Sequence, residues 1–488
     1  MPRHGWREQG QFDTIYTNCT DPEINTMASV ARAETRTGQV MRIVRERIAR
    51  RTLTPGTRLP SVRAMAETTG FSKSTIVEAY DRLAAEGAIR ARPGSGFYVT
   101  APLAPLTLDR PDVAAARQVD PLWMLRQSLA ERAGALMPGC GWLPDEWLAG
   151  DAIRKGLRAA ARGSAGTLTG YDSALGSSRL RGLLARRLAD QGIEAGLDQV
   201  MLTDSGTHAL DLICRFLLEP GDTVLVDDPC YFNFLALMRA HRVTAIGVQM
   251  TPHGPDITRF AEALATHRPR FYLTNSGIHN PTGATLAASI AHRLLRLAEA
   301  HDLIVVEDDI FADFEISPAP RLAAFDGLDR VIRIGSFSKS LSAAMRCGHI
   351  AARADWIEAL ADLRIATSMS GNPLAATLLH AVLTDGSYRR HVETIRTRLS
   401  RAMDNTLRRL RAAGLEPWIE PNAGIFVWAK LPDGRDAVAL AEAALAHGLV
   451  LAPGKVFSAG GLWNDRLRFN VAMSDDDAVF AALARALS

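Results

Sequence analysis

Long apolar runs are missing from this chain of 488 residues. No stretch approaches the roughly 18 to 20 consecutive apolar residues that a membrane-spanning helix needs. Met1-Pro2-Arg3-His4-Gly5-Trp6-Arg7 leads into polar sequence rather than into the apolar core of a secretion signal. A cytoplasmic protein with no membrane partner is expected. Cysteine is scarce as well: Cys19, Cys140, Cys214, Cys230 and Cys347 are scattered, odd in number and never spaced C-x-x-C. Neither a disulfide framework nor a metal site is indicated, and the thiols are expected to be reduced and structural. With 38 Gly, 24 Pro and 22% charged residues, collagen, a fibrous rod and intrinsic disorder are excluded, and the length asks for more than one domain. No internal repeat or low-complexity block is present.

Net charge is small too, +3, but it is unevenly spread. Between Arg36 and Thr100 twelve Arg and Lys stand against five Asp and Glu, a local net of +7 that leaves −4 for the rest. Such asymmetry suits a nucleic-acid-binding module on a more acidic body, and it suits a solvated basic surface equally well. The pattern of residues must decide.

From Thr37 to Arg51, Val40, Ile43, Val44 and Ile48 recur on one face of a helix that stops at Leu53-Thr54-Pro55-Gly56. A second short helix is expected from Ser61 to Thr69, ended by Gly70. A third opens at Ser72, a good N-cap, and runs to about Glu86 with Ile76, Tyr80 and Leu83 buried. After Gly87, Ala88-Ile89-Arg90-Ala91-Arg92 alternates apolar and basic, Pro93-Gly94-Ser95-Gly96 turns the chain, and Phe97-Tyr98-Val99 can return as a partner strand. Helix, glycine turn, helix and hairpin make a winged helix-turn-helix. Lys73, Ser74 and Thr75 then lie in the first turn of the third helix, where side chains reach base edges and free N–H groups hold phosphate. Arg58, Arg63, Arg90 and Arg92 would contact the DNA backbone or minor groove.

The order Pro55-Gly56-Thr57-Arg58-Leu59-Pro60-Ser61-Val62-Arg63, Ser72-Lys73-Ser74-Thr75-Ile76, Tyr80-Asp81-Arg82-Leu83-Ala84-Ala85-Glu86-Gly87 and Arg92-Pro93-Gly94-Ser95-Gly96 closely resembles the GntR family. The resemblance implies binding to double-stranded DNA, with Arg63 and Lys73 at the positions most often used. Val77 stands where some relatives carry an arginine that touches DNA. The domain boundaries expected are an N-terminal extension 1–35, the winged helix 36–100, a Pro- and Ala-rich linker 101–122, and a body 123–488.

In the body, β-type runs alternate with helical patterns, which argues for a mostly parallel α/β sheet with ligands beyond the strand ends. Five successive runs end in residues with chemistry. Val200-Met201-Leu202 is followed by Asp204-Ser205-Gly206-Thr207-His208, a phosphate cradle by its free N–H groups or a plain αβ turn. Thr223-Val224-Leu225-Val226 is followed by Asp227-Asp228-Pro229-Cys230-Tyr231, Phe271-Tyr272-Leu273 by Asn280-Pro281-Thr282-Gly283, and Leu303-Ile304-Val305-Val306 by Glu307-Asp308-Asp309. Three carboxylates at a strand end would ordinarily be solvated. Val331-Ile332-Arg333-Ile334 is followed by Gly335-Ser336-Phe337-Ser338-Lys339, and then Arg346 and Gly348.

One cofactor uses the whole set. Pyridoxal phosphate wants a lysine for a Schiff base, a carboxylate against its ring nitrogen, hydroxyls, Arg and helix N–H groups for its phosphate, and a flat stacking face. Residues 123–488 resemble the fold type I, aspartate aminotransferase-like family. The resemblance implies that Lys339 forms the Schiff base, Asp308 pairs with the ring nitrogen, Asn280 donates to the ring oxygen and Tyr231 stacks. It assigns Gly206, Thr207, Ser336, Ser338 and Arg346 to the phosphate, Tyr171 to the same group from a neighbouring subunit, and Arg468 to a substrate carboxylate, a bidentate task suited to guanidinium. Phe311 replaces a common tyrosine that bonds the ring oxygen, Ala343 a common proline, and Ala423 a common glycine. These departures suggest retained cofactor binding with catalysis in question.

A GntR-like head joined to such a body resembles the MocR-type regulators. What that implies is a head-to-tail homodimer that binds operator DNA and responds to an amine, an amino acid or pyridoxal phosphate itself. The alternative is an active aminotransferase with an incidental DNA-binding module.

Overall fold

A computed structural model describes residues 35–49, 53, 56–100, 119–130, 134–162 and 165–487. The expected extension up to Glu34, with Cys19, and most of the expected linker, 101–118, lie outside them. The chain divides into two units, Met1–Ala115 and Ala116–Ser488.

In the first unit three helices, α1 (Arg36–Ala49), α2 (Val62–Thr69) and α3 (Lys73–Ala85), precede a hairpin of β1 (Ile89–Arg92) and β2 (Gly96–Val99). Ser61 and Ser72 cap α2 and α3 by accepting from Ala64 N and Thr75 N, each at 3.2 Å. Gly70 ends α2 in the left-handed region, φ +75°, where a Cβ would be strained. The stripe on α1 is centred one residue away from the sequence reading. Val40, Met41 and Val44 are buried, while Ile43 and Ile48 pack only partly against the core of Ile76, Tyr80, Leu83, Ile89 and Val99. Tyr80 ties the unit together, its hydroxyl donating to Pro60 O at 3.0 Å and its ring meeting Phe97 at 5.0 Å.

The second unit is built on an eight-stranded sheet. Its strands are β3 (Val200–Thr203), β4 (Thr223–Asp228), β5 (Thr244–Thr251), β6 (Gly254–Pro255), β7 (Phe271–Thr274), β8 (Ile304–Asp308), β9 (Val331–Ser336) and β10 (Gly348–Ala351), in the order β3-β10-β9-β8-β7-β4-β5-β6. Neighbours from β9 to β5 are parallel; β10 runs antiparallel to both β9 and β3, which leaves β3 pointing with the rest. Side chains alternate between two apolar layers. Leu225, Tyr272, Val305 and Val331 pack with helices Ser178–Ala189, Ile257–His267 and Ala288–Ala300, whereas Val224, Val226, Phe271, Leu273 and Val306 pack with Gly206–Leu217 and Ala354–Ser368. Burial on both faces is why these strands read as unbroken apolar runs. A smaller antiparallel sheet, β11 (Glu416–Pro417), β12 (Phe426–Lys430), β13 (Ala452–Pro453) and β14 (Arg466–Asn470), packs with the long helix Ser387–Ala412 around Phe426, Trp428, Phe457 and Phe469.

Three expectations are corrected. The five chemistry-bearing strands are not consecutive, because β5 and β6 intervene between β4 and β7. Glycine at position 247 and polar residues along the half-exposed β5 weaken its apolar signal. The stretch read as linker ends early: a helix spans Pro121–Leu129, with proline in its first turn and Asp120 Oδ1 accepting from Trp123 N at 2.7 Å. The carboxylates flanking Asp308 are buried, not solvated. Glu307 accepts from Ser276 and from the N–H groups of Leu322 and Ala323, and Asp309 binds Arg321 at 2.9 Å and Arg333 at 2.7 Å.

Candidate functional site

Lys339 lies three residues beyond β9, half-buried, and its Nζ donates to Gly141 O at 2.6 Å. Burial, aided by the nearby Arg468 cation, lowers its ammonium from 10.5 to about 8, while Asp308 pulls the other way. Asp308 ends β8. Burial raises its carboxyl from 3.8 to about 7 although Ile310 N donates to Oδ1 at 3.2 Å, and the Asn275 amide steadies its backbone oxygen at 2.9 Å. Tyr231 opens the helix Phe232–Ala240 after β4, its ring against Phe232 and Phe234, and burial pushes its hydroxyl up to about 12.

Arg468 projects from the middle of β14 and is wholly buried. Its Nη1 donates to Asn280 Oδ1 at 2.9 Å and its Nη2 to Gly139 O at 2.6 Å. The guanidinium lies 4.2 Å from the ring centre of Phe426, 4.9 Å from Phe457 and 5.4 Å from Phe232. Burial lowers its pKa to about 10. Among the described residues no carboxylate meets it, and its Nε has no hydrogen-bond partner.

The proposed phosphate group gathers at the start of helix Gly206–Leu217. Ser205 caps that helix by accepting from His208 N at 3.0 Å, and a Cβ at Gly206 would stand 3.8 Å from Ser336 Cβ. Ser336 Oγ and Ser338 Oγ are 3.0 Å apart, and Thr207 is exposed beside the Asn233 amide at 3.4 Å. Gly348 lets β10 press against this turn, since a Cβ there would come within 2.8 Å of the Ser205 carbonyl carbon. Arg346, two residues earlier, is exposed and left-handed at φ +45°. Tyr171 does not join the site from its own chain: it is 85% exposed. Phe311 is buried with its ring edge-to-face on Phe426 at 5.6 Å, and it brings no hydroxyl.

Sequence reasoning missed one wall. The segment Gly139-Cys140-Gly141-Trp142 offers four carbonyls, to Arg468, to Asn470 at 3.0 and 2.6 Å, and to Lys339. Gly139 is obligatory there, because a Cβ would lie 2.6 Å from Ala452 N. The Gly-x-Gly spacing was the available signal, but it stands outside the strand ends.

In the DNA-reading unit, Lys73 is exposed and no described residue pairs with it. Ser72 Oγ meets Ser74 Oγ at 2.9 Å and Thr75 Oγ1 at 2.8 Å, a hydroxyl cluster at the start of α3. Arg63 is exposed and pairs with Glu67 at 3.2 Å. Arg58 and Arg92 are exposed at the wing, Arg58 joined to Tyr98 by a backbone bridge with its guanidinium beside Gly96, and Arg92 lying 4.5 Å over the Tyr98 ring.

The model for aminotransferase class I and II matches residues 146–485, and that for bacterial regulatory proteins of the gntR family matches residues 36–99. YdcR, an HTH-type transcriptional regulator of Escherichia coli K12, is 31% identical over 454 residues, covering 89% of this chain and 94% of the relative. The chain belongs to the MocR-type regulators. Another relative, the HTH-type transcriptional regulator NorG of Staphylococcus aureus, is 28% identical over 391 residues, 76% of this chain and 86% of its own. The aminotransferase half of this MocR-type chain resembles solved enzymes. LysN, an α-aminoadipate aminotransferase of Thermus thermophilus solved with N-(5′-phosphopyridoxyl)-L-leucine, superposes with a TM-score of 0.69 at 26% identity over 75% of this chain and 94% of that one. The kynurenine aminotransferase of Pyrococcus horikoshii gives 0.68 at 26% identity over 75% and 91%.

Proposed function

We propose that the body of this regulator binds pyridoxal phosphate through Lys339 and that an amine or amino acid captured there alters the affinity of its winged-helix heads for operator DNA. The observation that carries the reading is Arg468. A buried guanidinium without a carboxylate is costly, and a site that keeps one in a ring of three aromatics is built for an acid that arrives from solution.

The residues present fit the cofactor. Lys339 supplies an amine whose lowered pKa leaves roughly a tenth of it neutral, hence nucleophilic, at pH 7, far more than an ordinary lysine keeps. Asp308 offers a carboxylate that burial has made eager for a cationic partner, which a protonated ring nitrogen provides. Asn280 has its oxygen occupied by Arg468, so its Nδ2 remains the donor for a ring oxygen. Gly206, Thr207, Ser336, Ser338 and Arg346 would hold the phosphate, with Tyr231 as the stacking face. Bound, pyridoxal phosphate supplies an electrophilic carbonyl joined to an electron-withdrawing ring.

A homodimer is part of this reading. Leu157, Leu168, Tyr171 and Leu374 are exposed on or beside three helices, Gly150–Ala160, Ala165–Thr169 and Pro373–Thr384, the third of which packs on both others. A second copy covering them would bring Tyr171 to the partner's phosphate site.

The competing reading, an active aminotransferase, is favoured by the joint presence of Lys339, Asp308, Asn280 and Arg468, and weakened by Phe311. The test is the affinity of the full chain for a duplex it selects from a random pool, measured with and without pyridoxal phosphate and a panel of amines. A ligand-dependent shift supports sensing. Equal affinity throughout, with turnover of an amino donor, would leave the enzyme reading in its place.

A further inference from the structure

Every large apolar side chain on α3 is buried except one. Ile76, Tyr80 and Leu83 are fully enclosed, but Val77 is 43% exposed, and it is the one large apolar side chain that is exposed among the described residues of the first unit. A β-branched residue at an exposed helical position loses helix propensity relative to alanine and leaves its methyls in water. Its neighbours on the outward face are Lys73 and Ser74, one turn before it, both exposed. The first turn of α3 carries no acidic residue. One turn later the face turns anionic: Asp81 is exposed, and Glu78 is held by Arg82 at 2.6 Å and by Thr37. A polyanion therefore meets its most favourable surface over the first two turns, where Lys73 stands.

Within those turns the groups free to read bases are few. Ser74 and Thr75 are bonded to Ser72, so the Lys73 ammonium and the Val77 isopropyl group are the outward groups of these turns with no partner among the described residues. In the major groove the apolar feature on offer is the 5-methyl group of thymine, and the acceptor pair that suits a lysine is O6 and N7 of guanine. Residues 73 and 77 are about 6 Å apart along the helix axis, and base pairs rise about 3.4 Å per step, so the two side chains would address base pairs within about two steps of one another.

We propose that Val77 is a specificity residue that packs on the 5-methyl group of a thymine, within two base pairs of a guanine read by Lys73. This rests on α3 entering the major groove, and the test separates the two claims. Full-length protein selects duplexes from a random pool, and each thymine of the enriched half-site is then replaced by deoxyuridine, which removes only the methyl. The expected result is one thymine, near a guanine, whose loss of methyl weakens binding about three- to fivefold, with the loss abolished in Val77→Ala. Alanine raises helix propensity at this exposed position, so the variant folds, which an unfolding midpoint equal to or above the parent's verifies. An enriched site indifferent to every thymine-to-uracil change, or one equally sensitive in Val77→Ala, overturns the proposal while leaving DNA recognition intact. Enrichment of no sequence would remove base reading by this helix and the proposal together.

Discussion

Arg468 and Asn280, 188 residues apart, meet side chain to side chain at 2.9 Å inside the second unit. Because guanidinium only donates, it fixes the amide of Asn280 with its oxygen toward Arg468 and its nitrogen turned away. Asn280→Asp places a carboxylate where an incoming acid would otherwise be the first anion to reach Arg468. Its expected effect is to weaken capture of an α-amino acid by about 2 kcal/mol, the value of a charge-assisted hydrogen bond, while an amine lacking the carboxylate loses far less. Spectral titrations with an amino acid and its decarboxylated amine, side by side, check this.

Lys339 should capture pyridoxal phosphate with a pH dependence centred at about 8 rather than 10.5, because burial disfavours its ammonium. The rate falls about tenfold per pH unit below that point, and Lys339→Met shows no visible absorbance. The sign for stability follows from linkage: between about 8 and 10.5 the unfolded chain binds more protons at this position than the folded one, so stability there rises with pH. Lys339→Met should therefore be more stable than the cofactor-free parent at pH 8 and below, with the difference gone by pH 10.5. Denaturant midpoints across that range give the answer.

Asp308 has the opposite slope. Its carboxyl, raised from 3.8 to about 7, makes the folded chain bind more protons between those values, so its burial costs nothing below pH 3.8 and most above pH 7. Asp308→Asn should stabilise the cofactor-free protein near pH 8. The same change should weaken pyridoxal phosphate by about 2 kcal/mol, for want of the charged partner. Opposite effects on unfolding midpoint and cofactor affinity distinguish a binding role from a packing one.

Behind β8 and β9, Arg321 holds Asp309 at 2.9 Å and Glu315 at 2.7 Å, with Arg333 sharing Asp309. All four side chains are buried. Arg321→Ala leaves Glu315 without its cation and Asp309 with Arg333 alone, and should cost about 3 to 5 kcal/mol. Chemical unfolding measures it; a loss under 1 kcal/mol would mean that water replaces the guanidinium.

Lys73→Ala and Arg63→Ala should each weaken operator binding by about 1 to 3 kcal/mol if they contact bases; a phosphate contact would instead lower the salt slope by about one. Arg63 begins from an exposed pair with Glu67, so Glu67→Ala is expected to strengthen binding slightly. Affinity measured against salt concentration separates base contacts from phosphate contacts.

Much of this was legible along the chain. Ser61, Gly70 and Ser72 punctuate α2 and α3 by local hydrogen bonding and backbone freedom, which depend on neighbours a few residues away. The runs that became β3, β4, β7, β8 and β9 were visible because strands buried on both faces must be apolar throughout. β5 was not, because its partly exposed face dilutes that signal. Nor was the wall at Gly139–Trp142, whose partners Lys339, Arg468 and Asn470 lie 198 to 330 residues away.

The sequence by itself determined the two-part organisation and the caps of α2 and α3, because periodicity and turn chemistry are properties of short segments, and its resemblance to the aminotransferase family singled out Lys339, Asp308 and Arg468 as candidates. Only the tertiary structure decided that no carboxylate among the described residues meets the buried Arg468, that Glu307 and Asp309 are withdrawn from water, and that burial lowers the Lys339 ammonium to about 8. Sheet order and burial set those outcomes. Desolvation acts through everything packed around a group, and no local pattern encodes what will be packed there.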